Sequence, residues 1–409
     1  MTTAQSARLH DLVHQRFEDE VAFLAALVKM PSDNPSGDCA AHAEHAAAWL
    51  ERLGFTVERH RVPDDLVARH GMISVTNLVV RHRFGDGPVI ALNAHGDVVP
   101  PGEGWTQDPY GAAVVDGWMY GRGVAVSKSD FATYAFALDA LKRSGLPLNG
   151  TVELHLTYDE EAGGEIGPGW LLSQGLVRPD MAIAAGFSYA VVDAHNGCLH
   201  LEVVVEGKSA HAALPATGID ALEAATPILA ALYAERRALQ AATSSVPGIG
   251  SPQVTVGLIQ GGINTNVVPD RITFRLDRRM IPEENPAVVE SALRDLIAAA
   301  AAAYPAARVS IRRILLAEPL KATAEARRIS ELVGGHATAV FGEPVRSTGV
   351  PLYTDARLYA AKGVPVVLYG AGPKSIEEAN AHRADERLRL SDLEKATEVI
   401  ARSLVDLLS

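Results

Sequence analysis

Short apolar runs that end in a histidine or a group of acids recur along this chain, alternating with helix-patterned stretches. That alternation restricts the fold more than any other feature. Strand-like runs fall at Thr56–Arg61, Asn77–Arg81, Val89–Asn93, Gly150–Tyr158, Met181–Ala185 and Val364–Tyr369. Helical spacing marks residues 5–30, through Leu9, Leu12, Val13, Phe17, Val21, Leu24 and Leu27, until the Pro31-Ser32-Asp33-Asn34-Pro35 cluster stops it. Further helices are expected at Ala41–Leu53, Asp130–Arg143, Gly167–Gln174 and Asp355–Ala361. Strands alternating with helices predict a layered α/β domain with a largely parallel sheet.

The middle of the chain breaks this rhythm. Strand Leu199–Glu206, helix Ile219–Ala238, strands Gln253–Ile259 and Arg271–Asp277, helix Ala287–Ala303 and strand Arg308–Ile314 spell β-α-β-β-α-β. That order is the ferredoxin-like split unit, a four-stranded sheet with both helices on one face. The α/β pattern resumes afterwards, so the unit is inserted: residues 1–197 and 315–409 form one domain and 198–314 the other.

Composition narrows the class. A chain of 409 residues with 48% hydrophobic residues can bury more than one core. Its net charge of -12 argues against nucleic acid or an anionic membrane surface as partner. Two distant cysteines, Cys39 and Cys198, fit a reducing compartment. Charges at Arg8, Asp11, Arg16 and Glu18 interrupt any apolar signal-peptide core, and the cytoplasm is the expected location.

Three stretches carry chemistry. His95-Gly96-Asp97 follows the apolar run Val89–Leu92 and sits at the carboxyl end of a core strand, where open α/β sheets bind ligands. A metal-bound imidazole needs its other ring nitrogen held, which a nearby acid can do; alone, the motif reads more readily as a hydrogen-bonded loop histidine. Asp159-Glu160-Glu161 follows the strand before it, and three adjacent acids call for a positive partner such as a metal, unless they form a solvated loop. His382 comes shortly after a third strand.

Together with Trp105, Asp108-Pro109-Tyr110, Tyr120-Gly121-Arg122-Gly123, Ser209-Ala210-His211, Gly261-Gly262, Asn266-Val267-Val268-Pro269-Asp270, Asp277-x-Arg279 and Thr354-Asp355-Ala356-Arg357, these stretches resemble the metallopeptidase and amidohydrolase family of aminoacylase, acetylornithine deacetylase, succinyl-diaminopimelate desuccinylase and glutamate carboxypeptidase. The resemblance spans roughly residues 10 to 405. It implies a zinc-peptidase-like catalytic α/β domain with an inserted lid or dimerisation domain, and hydrolysis of an amide next to a carboxylate. It also implies His95, Glu161 and His382 as metal ligands, Glu160 as general base, and Asp97 as the acid that orients His95. His211 matches the histidine that polarises the scissile carbonyl, and Asn266 and Arg279 match substrate-binding positions. A small anionic substrate and a homodimer through the inserted domain are the partners it implies. Local alternatives are a capping role for His211, a turn role for Asn266 and an ion pair between Arg279 and Asp277.

Two family acids are missing. Val126 stands where a metal-bridging aspartate is usual, and Gly186 where another acidic ligand is usual. Asp130, Asp193 and His195 are the nearby candidates to replace them. Without replacement, two imidazoles and one carboxylate remain for one divalent ion per chain, a set that suits zinc and also manganese or iron. Alternative readings are hydrolytic deamination of an aromatic amine and an inactive homologue that binds a small molecule.

Overall fold

The computed structural model describes residues 1–409. The chain divides into two compact units, one comprising Met1–Asp193, Ala322–Thr348 and Thr354–Ser409, the other Ala194–Lys321 and Gly349–Tyr353. The short return Gly349–Tyr353 joins the smaller unit, outside the continuous insert expected from the sequence.

The larger unit is built on an eight-stranded sheet in the order Val57–Arg61, Thr76–Arg83, Thr151–Thr157, Val89–His95, Met181–Ala184, Val366–Leu368, Ala190–His195, Arg346–Val350. Its four central strands, Thr151–Thr157 through Val366–Leu368, run parallel. The first two strands and the pairing of Val366–Leu368 with Ala190–His195 are antiparallel, so the sheet is mixed, with its parallel part confined to the centre. Ile90, Leu92, Val152, Leu154 and Leu156 are fully buried, as expected of parallel strands covered on both faces. The helix Lys128–Ser144, buried along most of its length, packs against Leu390–Leu407 and Phe17–Val28.

The single amino-terminal helix expected over residues 5–30 is two helices, Thr3–His14 and Phe17–Val28. Apolar spacing runs straight through the break, and only the main-chain turn at Gln15–Arg16 shows it. No helix is long and apolar enough to cross a membrane.

The smaller unit has an antiparallel sheet in the order Gln253–Gly261, Arg271–Met280, Gly197–Glu206, Arg308–Ala317. Leu199, Leu201, Val203 and Val205 alternate inward and form a core with Phe274, Leu276 and the helix residues Ile228, Leu232, Leu293 and Ile297. Both helices, Ala221–Ala238 and Pro286–Ala301, therefore cover one face, giving the split β-α-β-β-α-β arrangement. Asp220 and Asn285 cap them, each accepting two backbone N–H groups of the first turn.

Candidate metal-binding active site

The site in the larger unit follows from strand register. His95 pairs with Thr157 on the adjacent parallel strand, and the Gly96 N–H donates to the Thr157 carbonyl at 2.8 Å. Residues just beyond these two ends must therefore meet, which brings Asp97 to Glu160 and Glu161. The Asp97 carboxylate accepts the N–H of Glu160 and of Glu161, each at 3.2 Å, and the Asn34 side-chain amide at 2.9 Å.

Asp97 holds His95 chiefly through its main chain. His95 Nδ1 lies 2.9 Å from the Asp97 carbonyl oxygen and 3.5 Å from its nearer carboxylate oxygen. Nδ1 thus carries a hydrogen, and Nε2 faces the acids, 3.9 Å from a Glu160 oxygen. The same carboxylate, 3.5 Å from the imidazole, also fixes the turn that presents Glu160 and Glu161. Ser127 brackets His95 further, its hydroxyl lying 3.1 Å from the His95 N–H and 3.0 Å from the His95 carbonyl.

His95, Glu160 and Glu161 offer ligand atoms that all lie within 4.8 Å of one another. His382, on a loop whose residues Asn380, His382 and Asp385 adopt positive φ, places Nε2 at 3.3 Å from Glu161. Asp385 pins that loop by accepting the Thr106 N–H at 2.8 Å. Burial raises Glu160 above the ordinary carboxylate range, tempered by His95 and reinforced by Glu161 and Asp97. Burial would lower His95, but Asp97, Glu160 and Glu161 together hold it well above its ordinary value. So much negative charge around one imidazole is the environment of a cation, and the nitrogen and carboxylate donors suit a divalent transition metal.

None of the candidate substitutes joins this cluster. Asp130 accepts the Ala371 N–H at 2.8 Å and also the Gly186 N–H, so it ties together the loops after two central strands. A Cβ on Gly186 would lie 2.7 Å from the main chain of Leu368 and Tyr369, which leaves no space there for an acidic side chain. Asp193 accepts the Ser347 hydroxyl at 2.6 Å, and His195 Nδ1 lies 2.9 Å from the Asn196 carbonyl.

Three predicted residues belong to the smaller unit. His211 is exposed, bridges to Val267, and accepts the Ala213 N–H on Nδ1 at 3.0 Å, which leaves its hydrogen on Nε2. Asp220, not His211, caps the following helix. The Asn266 carbonyl accepts the Ala212 N–H at 3.0 Å, so the His211 and Asn266 segments are neighbours, and Asn266 is exposed. Arg279 lies along Asp277, with Nε 3.0 Å from one carboxylate oxygen, and over the Tyr353 ring.

Sequence reasoning gave no role to Asn34 or Ser127, and it named Asp159 and Asp355 only as members of their motifs, without a function of their own. Asn34 lies in a stretch that signals only a helix stop, and Ser127 in the segment that departs from the family pattern. Asp355 is 6% exposed, and burial together with Glu160 and Asp159 pushes it well above the ordinary range.

Parallel strand ends that gather imidazole and carboxylate donors define a metal-dependent hydrolase of the layered α/β type. The family model for peptidase family M20/M25/M40 matches residues 91–406, and the chain belongs to that family of amide-bond hydrolases. It is 30% identical over 391 residues to a succinyl-diaminopimelate desuccinylase of Gluconacetobacter diazotrophicus, covering 92% of this chain and 94% of that protein. Among solved structures, a family metallo-carboxypeptidase from Sulfolobus solfataricus superposes with a TM-score of 0.77 at 18% identity, covering 94% of this chain and 98% of that one. A dinuclear metal-binding peptidase of the family from Bacillus subtilis gives 0.69 at 18% identity, covering 97% and 99%.

Proposed function

We propose that this chain hydrolyses an amide bond next to a carboxylate, in an N-acyl amino acid or a dipeptide-like substrate, with a reduced metal site holding one divalent ion. The observation that carries the reading is the double use of Asp97. Its carbonyl sets His95 while its carboxylate sets Glu160 and Glu161, so base and ligands are placed by one residue.

His95, Glu161 and His382 would hold the ion, zinc being favoured by the two imidazoles and one carboxylate. When bound, it supplies Lewis acidity that makes water nucleophilic near neutral pH and polarises a carbonyl oxygen. Glu160 is the chain's own proton carrier: held beside His95 and raised by burial, it takes a proton from the attacking water and passes it to the leaving amine. The Nε2–H of His211 is the group offered to the carbonyl oxygen. Asn266 and Arg279 are proposed to hold the substrate carboxylate, Arg279 while Nε and Nη2 stay on Asp277.

The single-ion reading rests on the engagement of Asp130 with Ala371 and Gly186 and on the closed space at Gly186. The 30%-identical desuccinylase favours an acyl group that is itself anionic. Pairing of two chains through the smaller unit is supported by Leu258 and Ile259, 62% and 54% exposed on its edge strand.

Turnover of an N-acyl amino acid and dipeptide panel tests the activity. Glu160→Gln should keep the metal and lose at least about 100-fold in kcat. Turnover of an aromatic amine alone would favour deamination, and no metal-dependent turnover at all an inactive homologue. Substituting His95 and His382 together by Ala should remove one ion per chain; loss of two would refute the reduced site.

A further inference from the structure

The face of the smaller sheet opposite its helices collects a second set of metal-type donors. Strand pairing sets His200 directly across from Asp277 and Cys198 across from Arg279. Because side chains alternate, Cys198, His200, Asp277 and Arg279 all project from that face. We propose that Cys198, His200 and Asp277 form a metal site in the smaller unit that takes zinc or a zinc-like divalent cation.

The geometry is a donor triangle. Cys198 Sγ lies 3.1 Å from His200 Nε2 and 3.6 Å from an Asp277 oxygen, and His200 Nε2 lies 3.2 Å from the other Asp277 oxygen. In a tetrahedral zinc site with ordinary zinc–sulfur, zinc–nitrogen and zinc–oxygen distances, neighbouring donors stand about 3.3–3.6 Å apart. Cys198, His200 and Asp277 offer one ligand atom each within 4.8 Å of one another, close enough for one ion to draw them into three corners of such a site, and the fourth is left for water or a ligand.

The three groups already reach one another, the Cys198 thiol to one Asp277 oxygen and His200 to the other. One imidazole nitrogen carries one hydrogen or one lone pair, yet Nε2 faces both a sulfur and a carboxylate oxygen. A shared cation satisfies all three donors at once. Binding releases the thiol proton and leaves the imidazole hydrogen on Nδ1, so the charge of the cation is met by a thiolate and a carboxylate.

Arg279 fits as the outer partner of the carboxylate. Its Nε and Nη2 lie 3.0–3.2 Å from the Asp277 oxygens, a contact of the kind that orients ligating carboxylates. The donors stand on two paired strands and not on loops, Cys198 is fully buried, and the His200 and Asp277 side chains are about one-third exposed, which gives an ion a path in.

Cobalt substitution separates this site from the one at His95, since His95, Glu160, Glu161 and His382 contain no sulfur. The full chain loaded with cobalt(II) should show a near-ultraviolet sulfur-to-cobalt charge-transfer band. Cys198→Ser should abolish the band and lower bound zinc by one ion per chain, whereas Cys39→Ser should keep both. Asp277→Asn, which leaves the sulfur in place, should keep the band but require at least about tenfold more cobalt to develop it. A band missing from the unsubstituted chain, surviving Cys198→Ser or lost in Cys39→Ser would overturn the proposal.

Discussion

One oxygen of the Asp130 carboxylate stands where a side chain on Gly370 would have to be, 1.8 Å from the position of its Cβ. The same oxygen accepts the Ala371 N–H. The acid and the glycine are thus two halves of one arrangement: a buried carboxylate replaces side-chain packing between the helix Lys128–Ser144 and the loop after Val366–Leu368.

Changes at Gly370 and Gly186 should accordingly cost stability without restoring a second ion. Gly370→Ala is expected to destabilise by about 1–3 kcal/mol through overpacking, read from denaturant midpoints. Gly186→Asp, which reinstates the acid common in the family, should also destabilise and leave the metal content of the His95 site unchanged. A gain of one ion per chain in Gly186→Asp would contradict the closed space seen there.

Asn34 acts through Asp97. Asn34→Ala removes the amide donor at 2.9 Å from a buried carboxylate that also orders Glu160 and Glu161. Metal affinity should fall by about 10- to 100-fold, in the range of other outer-partner losses. Competition with a chromophoric chelator reads it directly, and Asn34→Asp, which sets a second carboxylate against Asp97, should be worse than Asn34→Ala.

Chelation should abolish turnover while leaving the fold in place. His95 is held by the Asp97 carbonyl and Ser127, and Glu160 and Glu161 by the Asp97 carboxylate, none of which needs an ion. Far-ultraviolet circular dichroism should be unchanged and the thermal midpoint lower, because an ion that binds only the native state stabilises it. Global unfolding on chelation would show that the protein ligands are organised by the metal itself.

Glu20 supplies a pH dependence that is independent of catalysis. It is fully buried, with one oxygen accepting the Thr397 hydroxyl at 2.5 Å, and burial raises its pKa to about 8. A carboxyl whose folded pKa lies above its unfolded value favours folding while it is protonated. Its contribution is full below about pH 4 and is lost as pH rises toward about 8. Glu20→Gln should therefore be more stable than the unsubstituted chain at neutral pH, by on the order of a few kcal/mol, with the advantage vanishing in acid. Urea midpoints at pH 5 and pH 8 measure it, and an equal difference at both would refute the ionisation account.

What could be read from the sequence follows the range over which each effect acts. The strand ending at His95 and the six elements of the smaller unit are local patterns, and they appear at nearly the predicted residues. The helix break at Gln15–Arg16 escaped because apolar spacing continues through it. The tie from Asn34 to Asp97 spans 63 residues, and the burial of Asp130 against Ala371 spans 241, so no pattern in a window of sequence reports them. The approach of Arg279 to Asp277 is a two-residue relationship and was open to reading as a local pair from the start.

The pairing of His95 with Thr157 ties the reaction to the folding of the sheet. Slippage of either strand by a single step would turn the imidazole to the opposite side of the layer and leave Glu160 and Glu161 facing empty space. Chains trapped in that misaligned state would lack both correct packing and a grip on metal.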